Sequence, residues 1–274
     1  MLLWTVSVPL AALSMTTNAP PNYEVYAVRY ATIPNFPLRS LIAGADRSRR
    51  TDIAMMVWLI KSPDGRNVLV DAGFYRDAFV KQWHPTDFST PAQAVERAGV
   101  KPEDVTDIII SHIHWDHLDG LDLFPKARVW IQREEFDYYL DSAGTVKNRS
   151  IDAGDAKLLA QAAREGRVTL IDGDAKEIIP GITVYTGGKH TFASQFATVH
   201  ATVGTIVVAS DNMYLYENLT RHVPIAQTLD SASNLRTQAR MVTLASDPRL
   251  IVPGHDPEVF VRFPTPGNGV ARIQ

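Results

Sequence analysis

The chain has no cysteine in its 274 residues. Disulfides, thiolate zinc sites and a cysteine nucleophile are therefore excluded. It also lacks a surplus of positive charge: 27 Lys and Arg stand against 30 Asp and Glu, a net charge of −3. Nucleic-acid binding needs clustered cations to meet phosphate, so it is not expected. Nor is there an apolar run of the roughly 20 residues that a bilayer span requires. The best candidate, Leu2–Leu13, is too short, and no membrane partner is expected. Hydrophobic residues make up 45% of the chain and charged residues 21%. That is ample for a sizeable core and carries no signature of disorder.

Residues 1–19 support two readings equally. The apolar stretch with Ala12 and Ser14 at the −3 and −1 positions before Met15 fits a signal peptide and export. The first basic residue is Arg29, however, so an apolar N-terminal segment of a cytoplasmic protein fits as well. Pro20-Pro21 ends the segment in either case.

Residues 20–274 read as one domain in which strands and helices alternate. Strands are predicted at Tyr23–Tyr30, at Ile53–Ile60 and Asn67–Asp71 around the turn Pro63-Asp64-Gly65, and at Val105–Ile110 and Arg128–Gln132. Further strands are expected at Val168–Ile171, Ile182–Thr186, Ala193–His200, Thr205–Ser210 and Leu250–Val252. Helices are expected over Thr90–Ala98, where Thr90 caps, Pro91 opens and Gly99 stops, and over Glu134–Leu140, Asp155–Glu165 and Leu235–Ala245. There is no internal repeat and no long linker. Two groups of strands with helices between them suggest a layered α/β sandwich.

The chemistry is concentrated in Ser111-His112-Ile113-His114-Trp115-Asp116-His117, directly after the buried strand Val105–Ile110. A lone histidine is more often a satisfied core or surface residue than a ligand. Three histidines and a carboxylate in one tight loop reverse that expectation. His112 and His114 can point one way while Asp116 and His117 point another, which suits two adjacent metal ions. Imidazole nitrogen and carboxylate oxygen are donors that Zn²⁺, Fe²⁺ and Mn²⁺ accept.

With this loop the sequence resembles the metallo-β-lactamase superfamily, whose signature is His-x-His-x-Asp-His, and the resemblance runs from about Tyr23 to His255. Val70-Asp71-Ala72-Gly73 is similar to the family's strand-ending Asp-x-Gly, which supports the metal loop. His190 after Gly187-Gly188, Asp211 after Thr205–Ser210, and His255 in Val252-Pro253-Gly254-His255 stand where the family places its later ligands. The resemblance implies a four-layer αββα sandwich with the site at one edge between the sheets. It also implies two divalent metal ions, Zn²⁺ foremost with Fe or Mn as alternatives. His112, His114 and His190 would hold one, Asp116, His117 and His255 the other, and Asp211 would bridge them. His200 is a rival to His190 but falls within a strand pattern. His84 and His222 match no motif position and are expected at the surface or a pocket rim.

Within the superfamily, Asp211 and Tyr214, three residues apart, resemble the N-acyl-homoserine lactonases, in which a tyrosine at that offset reaches the substrate carbonyl. True zinc β-lactamases generally lack an aspartate at the position of Asp211. Glyoxalase II enzymes carry a helical domain for which the short segment after His255 leaves no room. Thr191-Phe192-Ala193-Ser194-Gln195 departs from the lactonases' usual Ser/Thr-Pro-Gly-His after the histidine, and Trp115 stands where Leu or Phe is common. The implied reaction is opening of a lactone ring by water activated between the two metals. Tyr214 would stabilise the oxyanion and Asp116 would pass a proton to the leaving alkoxide. Phe36, Phe74, Trp83 and Trp115 read equally as liners of an apolar pocket and as core aromatics. Hydrolysis of another lactone, an ester or a phosphodiester, and a non-catalytic metal-binding role, are the alternatives. The partner is a small-molecule substrate, and a homodimer follows only by analogy with the lactonases.

Overall fold

Two mixed β-sheets pack face to face in the computed structural model, which describes residues 22–141, 145–148, 150–264 and 267–274. Residues 1–19, read from the sequence as either a signal peptide or an apolar segment, lie outside the described residues. The first sheet contains β1 (Glu24–Pro37), β2 (Arg50–Lys61), β3 (Asn67–Val70), β4 (Asp107–Ile109), β5 (Arg128–Gln132), β6 (Val168–Ile171) and the C-terminal β12 (Val270–Ile273), in the order β12-β1-β2-β3-β4-β5-β6. The second contains β7 (Lys176–Ile179), β8 (Ile182–Thr186), β9 (Gln195–Ala201), β10 (Gly204–Ser210) and β11 (Ile251–Pro253), in the order β11-β10-β9-β8-β7. The helices are α1 (Asp77–Trp83), α2 (Pro91–Arg97), α3 (Trp115–Leu118), α4 (Arg133–Tyr139), α5 (Ala153–Arg164), α6 (Tyr216–Thr220), α7 (Ser231–Leu244) and α8 (Val259–Arg262).

Period-two alternation divides the strands between separate cores. Val28, Leu59, Leu69 and Ile131 face outward onto Ala94 of α2 and Leu159 of α5. Their neighbours Ala27, Trp58, Ile60 and Val70 face inward and meet Val184, Val199 and Val208 of the second sheet. On that sheet's far side Val207, Ala209 and Ile251 pack on Met241 of α7. The result is the four-layer αββα sandwich. A fully buried aliphatic side chain of this kind stabilises the fold by about 1.5–3 kcal/mol.

The local signals act as the chemistry of turns and caps predicts. β2 and β3 pair antiparallel around Pro63-Asp64-Gly65, with Lys61 opposite Asn67. Thr90 and Gln93 form a reciprocal capping box at the start of α2, and Gly99 follows the helix at φ +82°. α7 begins at Ser231 rather than at Leu235, because Asp230 accepts the N–H of Ser233 at 2.9 Å and caps it. β1 runs seven residues beyond the expected Tyr30, past Pro34 to Pro37, and its register shifts at Arg29/Ala31 and Ile33/Phe36. Such bulges let an edge-type residue like proline stay in a strand.

β3, β4 and β5 are parallel, and so are β10 and β11. Asp71 and His112 follow the carboxyl ends of β3 and β4, and Asp211 and His255 follow those of β10 and β11. Both sheets thus deliver functional residues to one edge, as open α/β sheets do at the carboxyl ends of their strands.

Candidate metal centre

Asp71 is the anchor on which the site is built. It is fully buried and takes a left-handed φ of +64°, a conformation that aspartate tolerates better than most residues. Its Oδ1 accepts the N–H of Ser111 at 2.8 Å. Its Oδ2 accepts from Ser111 Oγ at 2.9 Å, His117 Nδ1 at 2.8 Å and Ser210 Oγ at 3.0 Å. One carboxylate thereby ties the ends of β3, β4 and β10 to α3.

The seven side chains singled out in the sequence converge as two clusters: His112, His114, His190 and Asp211, and beside them Asp116, His117 and His255. In the first, His190 Nε2 lies 3.2 Å from His112 Nε2 and 3.0 Å from His114 Nδ1, and His112 Nε2 is 3.0 Å from His114 Nδ1. In the second, Asp116 Oδ2 is 3.6 Å from both His117 Nε2 and His255 Nε2. Asp211 reaches both groups: its Oδ2 is 3.3 Å from His190 Nε2 and 3.4 Å from His117 Nε2, and its Oδ1 is 3.0 Å from His255 Nε2.

The outward ring nitrogens determine what the inward ones offer. His190 Nδ1 donates to the Gln227 carbonyl at 2.7 Å, His117 Nδ1 to Asp71, and His255 Nδ1 to the Ala54 carbonyl at 3.2 Å. His112 Nδ1 meets Ser111 Oγ at 2.9 Å, and that hydroxyl in turn donates to Asp71. Each Nε2 therefore turns a lone pair inward, the orientation that metal-ligating histidines take from their outer partners. His117 Nε2 and Asp211 Oδ1 are buried without any hydrogen bond of good geometry. Buried polar atoms ordinarily have partners, and divalent cations held by the two clusters would supply them. The donor set and these orphaned atoms fit two divalent metal ions.

Electrostatics divides the histidines in the metal-free chain. Burial, reinforced by neighbouring imidazoles, pushes His112 far below its ordinary pKa and His114 down to about 3. Burial acts the same way on His117 and His255, but the Asp211 and Asp116 carboxylates, with Asp71 for His117, prevail and hold both above it. Burial opposes ionisation of Asp211, yet His117 and His255 keep its pKa well below the usual carboxylate range.

Backbone geometry presents the later ligands. Ser210 adopts φ +46° just before Asp211, and the N–H groups of Gly254 and His255 bond to the carbonyls of Met213 and Tyr214 at 2.8 and 3.0 Å. His190 is carried by the Gly187-Gly188 turn, which Asn212 holds: its Oδ1 accepts the Gly188 N–H at 2.7 Å, and its amide donates to the carbonyls of Gln195 and Ala209. A Cβ at Gly187 would stand 2.1 Å from that oxygen, so glycine is required. Asn212 and Ser210 were not singled out from sequence. The available clue was only that both adjoin Asp211.

A cavity of about 120 Å³ opens over the clusters, lined on one side by His114, Asp116, Asp211 and His255 and on the other by Ile33, Phe36, Leu41, Ile53, Met55, Trp83 and Trp115. Tyr214 is buried at its wall, with its hydroxyl 3.4 Å from His190 Nδ1. Since that nitrogen already donates to Gln227, the phenol keeps its own proton. Burial, with Asp211 and Asp116, holds its pKa well above the ordinary value. Phe36, Trp83 and Trp115 thus line the cavity, whereas Phe74 does not: it is fully buried beneath Trp115, 4.7 Å between ring centres. His200 is exposed on β9, and His84 and His222 are exposed too, so none of the three joins a cluster.

Comparison with known proteins agrees with this geometry. The family model for the metallo-beta-lactamase superfamily matches residues 53–255. An N-acyl homoserine lactonase from a Bacillus species is 27% identical over 222 residues, 76% of this chain and 83% of that protein. One from Bacillus cereus is 29% identical over 166 residues, 60% of this chain and 61% of its own length. Among solved structures, a quorum-quenching N-acyl homoserine lactone lactonase superposes with a TM-score of 0.72 at 21% identity, covering 89% of this chain and 96% of that one. AidC, a dizinc quorum-quenching lactonase, gives 0.65 at 15% identity, over 93% and 95%. The matched span begins in β2, takes in both metal clusters and ends on the last histidine; the chain belongs to the metallo-beta-lactamase superfamily.

Proposed function

We propose that this metallo-beta-lactamase-fold hydrolase opens lactone rings, with N-acyl-homoserine lactones as its substrate class. The observation that carries the reading is Tyr214, a buried phenol with an uncommitted proton, placed beside both clusters at the wall of an apolar cavity. The named relatives are lactonases of this class, which supports the same reading.

Two divalent ions held by the clusters would supply a water acidified toward neutrality and an electrophile for a carbonyl oxygen. The protein's own groups do the rest. The Tyr214 hydroxyl donates to the carbonyl oxygen as negative charge develops there, a contribution of the oxyanion-hole kind. The ring C–O bond then breaks, leaving a carboxylate and an alkoxide. Asp116, which lines the cavity with its side chain 13% exposed, is placed to take the proton given up by the attacking water and pass it to the alkoxide, which leaves as the alcohol. Phe36, Met55 and Trp83 offer an apolar wall to the acyl chain. Among the described residues lining the cavity there is no Lys or Arg to meet the charge of a phosphodiester.

The test is proton release in a pH-stat with a ladder of homoserine lactones, using protein of known metal content beside Asp211→Ala and Tyr214→Phe. Turnover that depends on chain length, abolished in the first variant and weakened in the second, is the expected result. Protein that holds two metals and turns over esters or phosphodiesters but no lactone would overturn the reading.

A further inference from the structure

The first cluster is assembled from two loops that belong to different sheets. His112-Ile113-His114 follows β4, while Gly187 to Ser194 connects β8 to β9. Helix α4 stands behind both. Its Glu135 is 0% exposed, an unusual place for a carboxylate, and is not among the residues lining the cavity. One of its oxygens, Oε1, accepts the N–H of Ile113 at 3.1 Å, and the other, Oε2, accepts the N–H of Ala193 at 2.7 Å. The two donors lie between His112 and His114 on one loop and three residues after His190 on the other. A carboxylate can satisfy both at once, and hydrogen bonds to a charged acceptor are roughly twice as strong as neutral ones.

The second loop is docked on the same helix by a separate contact. The rings of Tyr138 and Phe192 stack 4.0 Å apart at 3°. Lys189 Nζ lies 4.8 Å from the Phe192 ring and donates to the Phe192 carbonyl at 2.6 Å. Phe192 and Ala193, at the centre of the stretch Thr191 to Gln195 that departs from the lactonase pattern, are thus the residues that α4 holds. The second cluster takes its support elsewhere, from Asp71 behind His117 and the Ala54 carbonyl behind His255.

We infer that Glu135 is a positioning residue for the first metal ion: by bonding both loops it sets the spacing of His112 and His114 against His190. The inference rests on the dinuclear reading of the site. It requires the effect of losing Glu135 to fall on one metal and not on the other.

Glu135→Gln is the informative change, because an amide has one oxygen and can keep only one of the two loops. Zinc-loaded wild type and variant are dialysed against a graded series of chelator strengths, and metal per chain is counted. Cobalt-substituted samples identify the emptied site by its absorption bands, assigned with His255→Ala, which removes a donor of the second cluster only. In Glu135→Gln the first-cluster metal is expected to be held 10- to 100-fold more weakly, the usual effect of removing an outer-shell partner, with the second unmoved. Equal loosening of both metals alongside a lower melting temperature would show a general support of the fold and overturn the inference, as would unchanged affinity. If Glu135→Gln does not fold, Glu135→Asp keeps the charge but draws it back by one methylene, and it is read the same way. Wild type that binds a single metal would refute the dinuclear reading itself, an outcome visible before any variant is compared.

Discussion

Gly254 and Asp211 approach so closely that a Cβ at residue 254 would stand 2.7 Å from Asp211 Oδ1 and 2.9 Å from the Ser210 carbonyl atoms. The backbone cannot yield there, because Gly254 N–H is already bonded to the Met213 carbonyl. Gly254→Ala must therefore displace the carboxylate that joins the two clusters. We expect the variant to lose about 1–3 kcal/mol of stability, as overpacked sites do, and to bind less than two metals per chain. A fully loaded, fully stable alanine variant would contradict the proposed role of Asp211.

Tyr214→Phe removes a hydroxyl and leaves the ring against His190 and His255, 5.6 and 5.8 Å between centres. Metal content should be unchanged. Loss of one oxyanion donor lowers kcat by about 10²–10³, or roughly 2.7–4 kcal/mol. Equal kcat for lactones in both proteins would remove Tyr214 from the chemistry while leaving the metal centre intact.

Asp71→Asn probes a different support from Glu135, one that stands directly behind His117 and reaches His112 only through Ser111. Its four accepted bonds come from donors on three segments, and an amide turned either way presents its own N–H groups to some of them. Breaking a buried charged pair from one side costs about 3–5 kcal/mol, and loss of an outer partner weakens metal binding about 10- to 100-fold. Here the second cluster, through His117, should suffer first. Urea denaturation of the metal-free variant and a metal titration read the two effects separately.

These residues also show how far the sequence could be read. The metal loop was legible because four ligand side chains, three histidines and an aspartate, crowd six positions after an apolar strand, and Asp71 because a strand ends on it. Glu135, Ser210 and Asn212 were not. Each acts through a partner far away in the chain, and no periodicity marks a polar residue whose role is to hold another loop. Among the elements, α1 escaped notice because Arg76 precedes it without a side-chain cap bond. β7 did so because its Lys176 and Glu177 are exposed. β12 is only four residues long and pairs with β1, some 240 positions earlier.

Stability should depend on pH through a second charged cluster, two of whose carboxylates, Asp119 and Asp155, are buried. Arg76 pairs with Asp119, Asp152 and Asp155, and Asp155 Oδ2 is buried without a partner. Burial, with Asp119 and Asp152 and against the pull of Arg76, raises Asp155 from 3.8 to about 8. In the unfolded chain the group loses its proton near the ordinary value of about 3.9. Between those limits the folded state holds a proton that the unfolded state has released. Stability therefore falls as pH rises through the window, by up to about 1.4 kcal/mol per pH unit, and levels off above pH 8. Asp155→Asn mimics the neutral acid and should remove this slope, so that its stability relative to wild type grows from pH 5 to pH 8. Parallel unfolding free energies across that range would refute the assignment.

Chain-length preference should be set by the aromatic wall. Trp83 stacks on Trp115 at 5.3 Å and 5°, and Phe36 lies 5.9 Å from Trp83, closing the cavity at about 120 Å³. Pockets that enclose drug-sized ligands run from about 300 Å³ upward, so wild type is expected to favour lactones with short acyl chains. Trp83→Ala removes the central member of that wall without touching a metal-cluster residue. Each methylene it newly buries is worth about 0.8 kcal/mol, or roughly four-fold in kcat/KM. The variant's profile should accordingly climb with chain length where that of wild type falls, while the shortest substrates lose activity for want of a packing surface. Steady-state kinetics on a butanoyl-to-dodecanoyl series decide the point, and profiles of the same shape in both proteins would place the acyl chain outside this cavity.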